Sequence, residues 1–246
     1  MVDTGRLTDL RKRLYQCTVL RAEAIHEPDR REWLVDVFAD EDDPILEILE
    51  KITWSESDAV ALGLAGGVGV GKTTQVYRLI DQLWDSERIV GIRVGYDEYS
   101  SLSSPPDITD FLLSVSGGLA EEARSLGHLS PDWDEEKLEQ RILGLLKRLR
   151  FDPEIAAGPV KVKASLREDE SFRRRLREHL AGQVAQLVRE VRFFVSSVVS
   201  DILHHVPECQ GVVMVVDSTE RLSAPPQPTR KCRWQCEISS FRTVTI

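Results

Sequence analysis

A glycine-rich stretch, Gly-Gly-Val-Gly-Val-Gly-Lys-Thr at residues 66–73, constrains the fold of this chain more than any other feature. An apolar run at 59–65 precedes it, and apolar residues recur at helical spacing through 72–84. Glycines tolerate positive φ angles, so they suit a tight loop that joins a strand directly to a helix. A second apolar run follows at 89–96. This order of strand, loop, helix and strand predicts a βαβ unit whose parallel sheet is buried on both faces.

The residue types in the stretch predict an anion-binding loop. Backbone N–H groups can approach phosphate oxygens closely where no Cβ intervenes, and the N-terminus of the following helix attracts negative charge. Lys72 supplies a point charge for the outer phosphates, and the Thr73 hydroxyl suits Mg²⁺. The predicted phosphate-binding set is Gly66, Gly67, Val68, Gly69, Val70, Gly71, Lys72, Thr73 and Thr74.

A second element of the same site is predicted near the C-terminus. The run Val-Val-Met-Val-Val at 212–216 is continuously apolar and ends in Asp217. A strand buried on both faces has this composition, and ligands in α/β proteins bind at the carboxyl ends of the strands. Asp217 is therefore predicted to hold Mg²⁺ through a water molecule, opposite Thr73.

Together these residues resemble the P-loop NTPase superfamily. Residues 66–73 are similar to the Walker A motif, and residues 212–217 are similar to Walker B. Residues 217–222, Asp-Ser-Thr-Glu-Arg-Leu, are similar to the acidic stretch that follows Walker B in several AAA and STAND-type ATPases. The resemblance covers about residues 58–100 and 210–222. It implies ATP and Mg²⁺ as cofactors and hydrolysis of the β–γ bond coupled to a conformational switch.

Two rival classes within the superfamily are disfavoured. GTPases read guanine with an Asn-Lys-x-Asp motif, and this chain contains no asparagine, so adenine is the expected base. ABC ATPases carry a Ser-Gly-Gly signature shortly before Walker B. The similar Val-Ser-Gly-Gly-Leu at 115–119 lies far from Asp217, and we interpret it as a turn that interrupts a helix.

The resemblance assigns catalysis to Lys72 and Glu220. Ser218 stands where many AAA-type ATPases have a water-orienting glutamate, and Glu220 is the next acid along the chain. Asp97 and Glu98, after the second strand, are alternatives, because a base must first reach the attacking water. We therefore expect weak turnover. The other functions left open are a nucleotide-gated interaction module with little hydrolysis and a P-loop kinase.

The domain prediction follows from these motifs. It gives a helical N-terminal segment at 1–52, an α/β P-loop NTPase core at 53–222 and an irregular tail at 223–246. A large helical insertion separates Walker A from Walker B at about 101–206. Because the composition changes abruptly after Leu222, we expect a truncated or frame-disrupted version of a longer ATPase.

The insertion is expected to carry any protein partner or self-association. Apolar residues recur from Phe172 to Ile202 and predict one long helix that ends near His204 and His205. The cluster Arg173–Arg175 is predicted to be a solvated face balanced by nearby acids, with a surface for nucleic acid or an acidic partner as the alternative.

Composition argues against several other classes. A net charge of −9 is weak evidence against a general nucleic-acid footprint and is compatible with a local basic patch. The N-terminus lacks an apolar signal core, and no uncharged apolar run approaches the roughly 18 residues of a membrane span. Cys17, Cys209, Cys232 and Cys236 are too scattered for a disulfide scaffold. A cytoplasmic protein without membrane contact is expected. The acidic run at 40–43 is predicted to be a solvated loop.

Overall fold

The computed structural model describes residues 43–54, 61–64, 71–99, 107–151, 165, 168–218 and 241–245. The helices in these ranges are α1 (Pro44–Trp54), α2 (Lys72–Glu87), α3 (Tyr96–Tyr99), α4 (Ile108–Ser125), α5 (Glu135–Arg148), α6 (Glu170–Leu180) and α7 (Val184–His205), with a 3₁₀ turn at Pro131–Trp133. The strands are β1 (Ala61–Gly63), β2 (Ile89–Gly95), β3 (Gly211–Asp217) and β4 (Phe241–Thr245). The chain is therefore an α/β protein, as predicted.

The four strands form one parallel sheet in the order β1-β4-β3-β2. β2 and β3 pair along their whole length, with Ile89 opposite Gly211 and Gly95 opposite Asp217. Because the two strands are parallel and in register, their carboxyl ends meet at the same edge of the sheet.

The strand β4 corrects the prediction of an irregular tail. It lies within 223–246 and pairs on one side with β1 and on the other with β3. Thr243, Val244 and Thr245 are β-branched, which favours a strand, but so short a run is a weak signal in the sequence. The strand is stabilised by backbone pairing with two neighbouring strands, which the local sequence does not reveal.

One face of the sheet is covered by α1 and α2. The apolar residues of α1 recur at Ile45, Ile48 and Ile52, which puts them on one side of the helix. They share a core with α2 and the sheet, formed by Ile45, Ile48, Ile52, Val76, Leu79, Leu83, Ile89, Val213 and Val215. α1 thus continues past the predicted boundary at residue 52 and belongs to the layer of α2.

The opposite face is covered by α4, α5, α6 and α7, which we call the helical layer. Alternate residues of the two long strands point into its core: Val90, Ile92 and Val94 from β2, and Val212, Met214 and Val216 from β3. The strands β2 and β3 are therefore buried on both faces between two layers of helices, which explains the apolar runs in their sequence.

The predicted turn at 115–119 is wrong, because α4 runs through it without a break. A Cβ at Gly118 would lie 2.6 Å from Val94 Cγ1 and 3.0 Å from Tyr99 Cδ2. A glycine inside a helix costs about 1 kcal/mol relative to alanine. At this position it lets α4 lie close against β2 and α3.

The predicted single helix from Phe172 to Ile202 is also wrong, because it is two helices, α6 and α7. Gly182 separates them at φ +85°, a left-handed conformation that ends a helix and that glycine adopts without strain. His204 and His205 lie in the last turn of α7, as predicted.

Charged residues that the sequence predicts to be solvated are partly buried. In the basic cluster, Arg174 and Arg175 are exposed, but Arg173 is buried. In the acidic run, Asp43 is buried, accepts a hydrogen bond of 2.9 Å from the Ile45 amide, and pairs with Arg78 at 2.9 Å. Asp43 therefore caps α1 and ties it to α2.

Two further observations concern the rest of the chain. Cys209 is a free thiol whose Sγ donates to the Gly211 carbonyl. The other cysteines lie outside the described residues. Among the helices that the structure describes, none combines the length and the apolar character needed to cross a membrane.

Candidate functional site

The predicted phosphate loop is described only at its C-terminal end. Gly71 has φ +90° and is the N-cap of α2, and its carbonyl accepts a hydrogen bond of 3.0 Å from the Gln75 amide. Lys72 is the first residue of α2, and Thr73 and Thr74 follow in its first turn, which contains no acidic residue. The positive end of the helix dipole is thus not neutralised by acids of that turn. Residues 66–70 lie outside the described residues.

Asp217 ends β3 with its carboxylate buried, at 2% residue exposure. The Ser218 amide donates to Oδ1 at 2.8 Å, and Arg93 Nε donates to Oδ2 at 2.9 Å. Ser218 itself has φ +65°, so the chain turns sharply as it leaves the strand. Both oxygens of the predicted metal ligand are therefore held in place by the protein. Glu220 lies outside the described residues.

Arg93 is a site residue that the sequence analysis missed. It lies on β2, and besides Asp217 it contacts Glu98 of α3, with 3.3 Å between Nη1 and Oε1. Its guanidinium carbon is 5.7 Å from the centre of the Tyr77 ring on α2. Arg93 thus connects β3, α3 and α2. We call Arg93, Glu98 and Asp217 the charged edge.

The alternation of β2 explains how the sequence builds the charged edge. Ile92 and Val94 enter the core of the helical layer, so Gly91, Arg93 and Gly95 fall on the side of α2. A Cβ at Gly91 would lie 2.8 Å from Ile80 Cγ1, so glycine permits α2 to pack closely there. A Cβ at Gly95 would overlap the Glu98 carboxylate. The sequence feature that could have identified Arg93 is a single charged residue in an otherwise apolar strand, with a glycine two residues away on each side.

The charges of this cluster influence one another. Burial by itself lowers the pKa of Arg93, but Tyr77, Asp217 and Glu98 outweigh it, so the net pKa is raised. Burial raises the pKa of Glu98, and the nearby Arg93 only partly offsets this. Arg93 is therefore a permanent cation between two carboxylates, one of which is a better proton acceptor than an ordinary glutamate.

The described residues offer single oxygen donors rather than a metal cluster. No group of three or more His, Cys, Asp or Glu residues that could hold an ion exists among the described residues. The Asp217 carboxylate and the Thr73 hydroxyl are oxygen donors, the type that Mg²⁺ takes together with water and phosphate oxygens. Because Arg93 already neutralises Asp217, such an ion would compete with the guanidinium.

The charged edge is anchored to the helical layer through α3. The Tyr99 hydroxyl donates to the Glu122 carboxylate of α4, and Ser114 Oγ donates to the Tyr99 carbonyl at 3.1 Å. Burial, followed by the Glu122 interaction, raises the pKa of Tyr99 far above its usual value, so the hydroxyl remains a donor. These bonds fix the four-residue helix that carries Glu98.

Comparison with known proteins identifies no relative: no protein-family model, curated protein or solved structure matches this chain. Its function therefore has to be argued from the charged edge and the start of α2.

Proposed function

We propose that this chain is a cytoplasmic, Mg²⁺-dependent ATP-binding domain with a P-loop core, and that it hydrolyses ATP slowly. One observation carries the proposal. α2 begins at Lys72 immediately after the positive-φ Gly71, on the sheet face that also carries Arg93 and the buried Asp217 carboxylate. An anion at the start of α2 and a cation at the end of β3 would both be accommodated at one edge of the sheet.

The proposed roles follow from chemistry. The backbone of residues 66–71 binds phosphates, Lys72 neutralises the outer phosphates, and Thr74 contributes from the first turn of α2. Thr73 and Asp217 hold Mg²⁺, which would bridge phosphate oxygens and neutralise charge that develops on them. The sheet order supports this arrangement, since β1 and β3 both pair in parallel with β4, so their carboxyl ends lie at the same edge of the sheet.

Glu98 is a second candidate, beside Glu220, for the group that orients the attacking water. Its carboxylate is joined through Arg93 to Asp217, and its side chain is 47% exposed, which leaves it open to water. Burial raises its pKa, which makes it a better proton acceptor. Ser218, directly after Asp217, cannot serve as a carboxylate base, so slow turnover remains part of the proposal.

Substitution of Lys72 by alanine tests the nucleotide site. We expect ATP affinity, measured by calorimetric titration with Mg²⁺, to fall at least about 100-fold, or about 2.7 kcal/mol. Lys51→Ala is the matched control, because Lys51 is exposed on α1 and pairs only locally with Glu47. Unchanged affinity in Lys72→Ala would refute the proposal.

A phosphate-release assay without added acceptor tests the chemistry. The wild-type chain should release phosphate well below the ordinary enzyme rate of about 10 per second. Release near that rate contradicts slow hydrolysis. ATP binding with phosphate transferred only to an added acceptor would indicate a kinase instead.

One observation favours the second candidate function, a nucleotide-gated interaction module. Phe193 of α7 is 67% exposed beside a groove of about 360 Å³ between α5 and α7, which Lys137, Arg141 and Arg148 also line. An exposed aromatic side chain among cations suits an acidic protein partner. Hydrogen exchange of α7 with and without ATP tests the coupling: protection that changes with ATP supports it, and identical protection counts against it.

A further inference from the structure

The ion pair between Arg93 and Asp217 is more enclosed than a surface pair. The two side chains are 14% and 3% exposed, and both carboxylate oxygens of Asp217 already accept hydrogen bonds. A guanidinium remains charged at all ordinary pH values and repels a second cation placed on the same carboxylate. Lone pairs remain on the Asp217 oxygens, but a divalent cation that binds there is repelled by Arg93 and binds more tightly if the guanidinium moves away.

Arg93 has a second partner within reach. Its Nη1 is already 3.3 Å from Glu98 Oε1, and Glu98 is the more exposed of the two carboxylates. The absence of a Cβ at Gly95 leaves the space that the Glu98 carboxylate occupies. The guanidinium can thus exchange one carboxylate for the other by a small movement, and it stays paired throughout.

We propose that Arg93 is a built-in counter-cation, which holds Asp217 while no divalent cation is bound and shifts to Glu98 when one binds. This inference rests on the proposed function, because it concerns regulation of the same site. It has two consequences. Mg²⁺ alone binds poorly, since Arg93 occupies its ligand, and Arg93 changes its main partner from Asp217 to Glu98 as the metal arrives. Arg93 is in this sense a positioning residue for both carboxylates.

Titration with Mg²⁺ alone, without nucleotide, tests the proposal. Thermal unfolding is followed against Mg²⁺ concentration for the wild type and for Arg93→Gln. We expect the variant to have a lower melting temperature without metal, because two carboxylates lose their cation. Its melting temperature should then rise with Mg²⁺ at a midpoint about tenfold lower than the wild type, a shift of about 1.4 kcal/mol. Equal midpoints in the two proteins would overturn the proposal.

Arg78→Gln is the matched control. Arg78 forms a similarly enclosed arginine–aspartate pair on the same face, with Asp43 at 2.9 Å and with side chains 16% and 5% exposed. Its loss should lower the melting temperature without a gain in Mg²⁺ response. A gain equal to that of Arg93→Gln would mean that any lost arginine produces the effect, which also overturns the proposal. Adding Asp217→Asn to Arg93→Gln should abolish the gain.

Arg93→Lys keeps the test decisive if Arg93→Gln does not fold. A lysine keeps the charge but cannot bridge two carboxylates with a planar fork, so its Mg²⁺ midpoint should fall between the wild type and the tenfold shift. A midpoint equal to the wild type refutes the bridging role.

The failures of the two proposals can be told apart. If the wild type does not bind ATP in Mg²⁺ but Arg93→Gln gains a Mg²⁺ response, the proposed function fails and the role of Arg93 stands. If the wild type binds ATP and the Arg93 variants respond to Mg²⁺ as the wild type does, the role of Arg93 fails alone.

Discussion

The charged edge and the helical layer each bury an aspartate against an arginine, but the two pairs differ in construction. Asp217 uses both carboxylate oxygens, and its partner Arg93 also contacts Glu98. In the helical layer, Asp110 of α4 accepts a hydrogen bond of 2.7 Å from Arg177 Nε of α6. Its Oδ1 atom is buried without a hydrogen-bond partner among the described residues.

The two pairs therefore use buried charge in different ways, one to join two helices and the other to hold several charged groups together. Burial raises the pKa of Asp110, and Arg177 offsets this only in part, so the pair ties α6 to α4 at a cost. At the charged edge, one guanidinium lies between two carboxylates, so these three groups together carry one net negative charge. The helical pair closes a packing contact, whereas the charged edge keeps more negative than positive charge among its three members.

The largest expected effect comes from the helical layer. Leu119 of α4 is fully buried, so Leu119→Ala should lower the free energy of unfolding by about 3 kcal/mol through lost burial and a cavity. Urea unfolding measures the loss. Stabilisation by ATP with Mg²⁺ should persist, because Leu119 lies in the core of the helical layer and outside the charged edge. Loss of that response would show that the two regions act as one unit.

The second effect concerns the charged edge. Asp217→Asn should lower the free energy of unfolding by about 2 kcal/mol, because Arg93 loses a buried partner but keeps Glu98. The variant should also lose the part of ATP stabilisation that depends on Mg²⁺, measured by thermal shifts with and without the ion. Asp43→Asn, which breaks the Arg78 pair, is the control and should keep the Mg²⁺-dependent part. An identical Mg²⁺ response in wild type and Asp217→Asn would make Asp217 a structural residue only.

The smallest effect is the pH dependence of the helical pair. Because the folded-state pKa of Asp110 is raised, its protonated form favours folding. That stability is fully present below the unfolded-state pKa of about 3.9 and is lost as pH rises through the folded-state pKa. Asp110→Asn should therefore change the free energy of unfolding by about 1 kcal/mol or less at pH 7 and should remove this pH dependence. Urea unfolding at pH 4 and pH 7 measures this pH dependence. If the free energy of unfolding changes between the two pH values as much in the variant as in the wild type, the dependence comes from other groups.

Much of the fold could be predicted because local sequence and burial agree. The runs at 89–96 and 212–216 are apolar on both faces except at Arg93, which is typical of a parallel strand covered on both sides. The apolar spacing in 72–84 likewise predicts α2. Predictions failed at two glycines. Gly118 lies inside a helix because its missing side chain allows close packing against β2, whereas Gly182 lies between two helices because it adopts a positive φ angle. Residue type alone does not distinguish a glycine inside a helix from one that ends it.

The candidate site divides in the same way. The sequence by itself determined that Lys72 would follow a glycine loop at a helix start and that an apolar strand would end on Asp217, because both follow from residue type and spacing. Only the tertiary structure decided that Arg93 would bind Asp217 and that Glu98 would bind Arg93. The Arg93–Asp217 contact depends on the register of β2 against β3, which pairs residues more than a hundred positions apart, whereas the Arg93–Glu98 contact depends on how β2 turns into α3. Periodicity along the chain carries no information about such a pairing, since register is set by how whole strands pack into a common core.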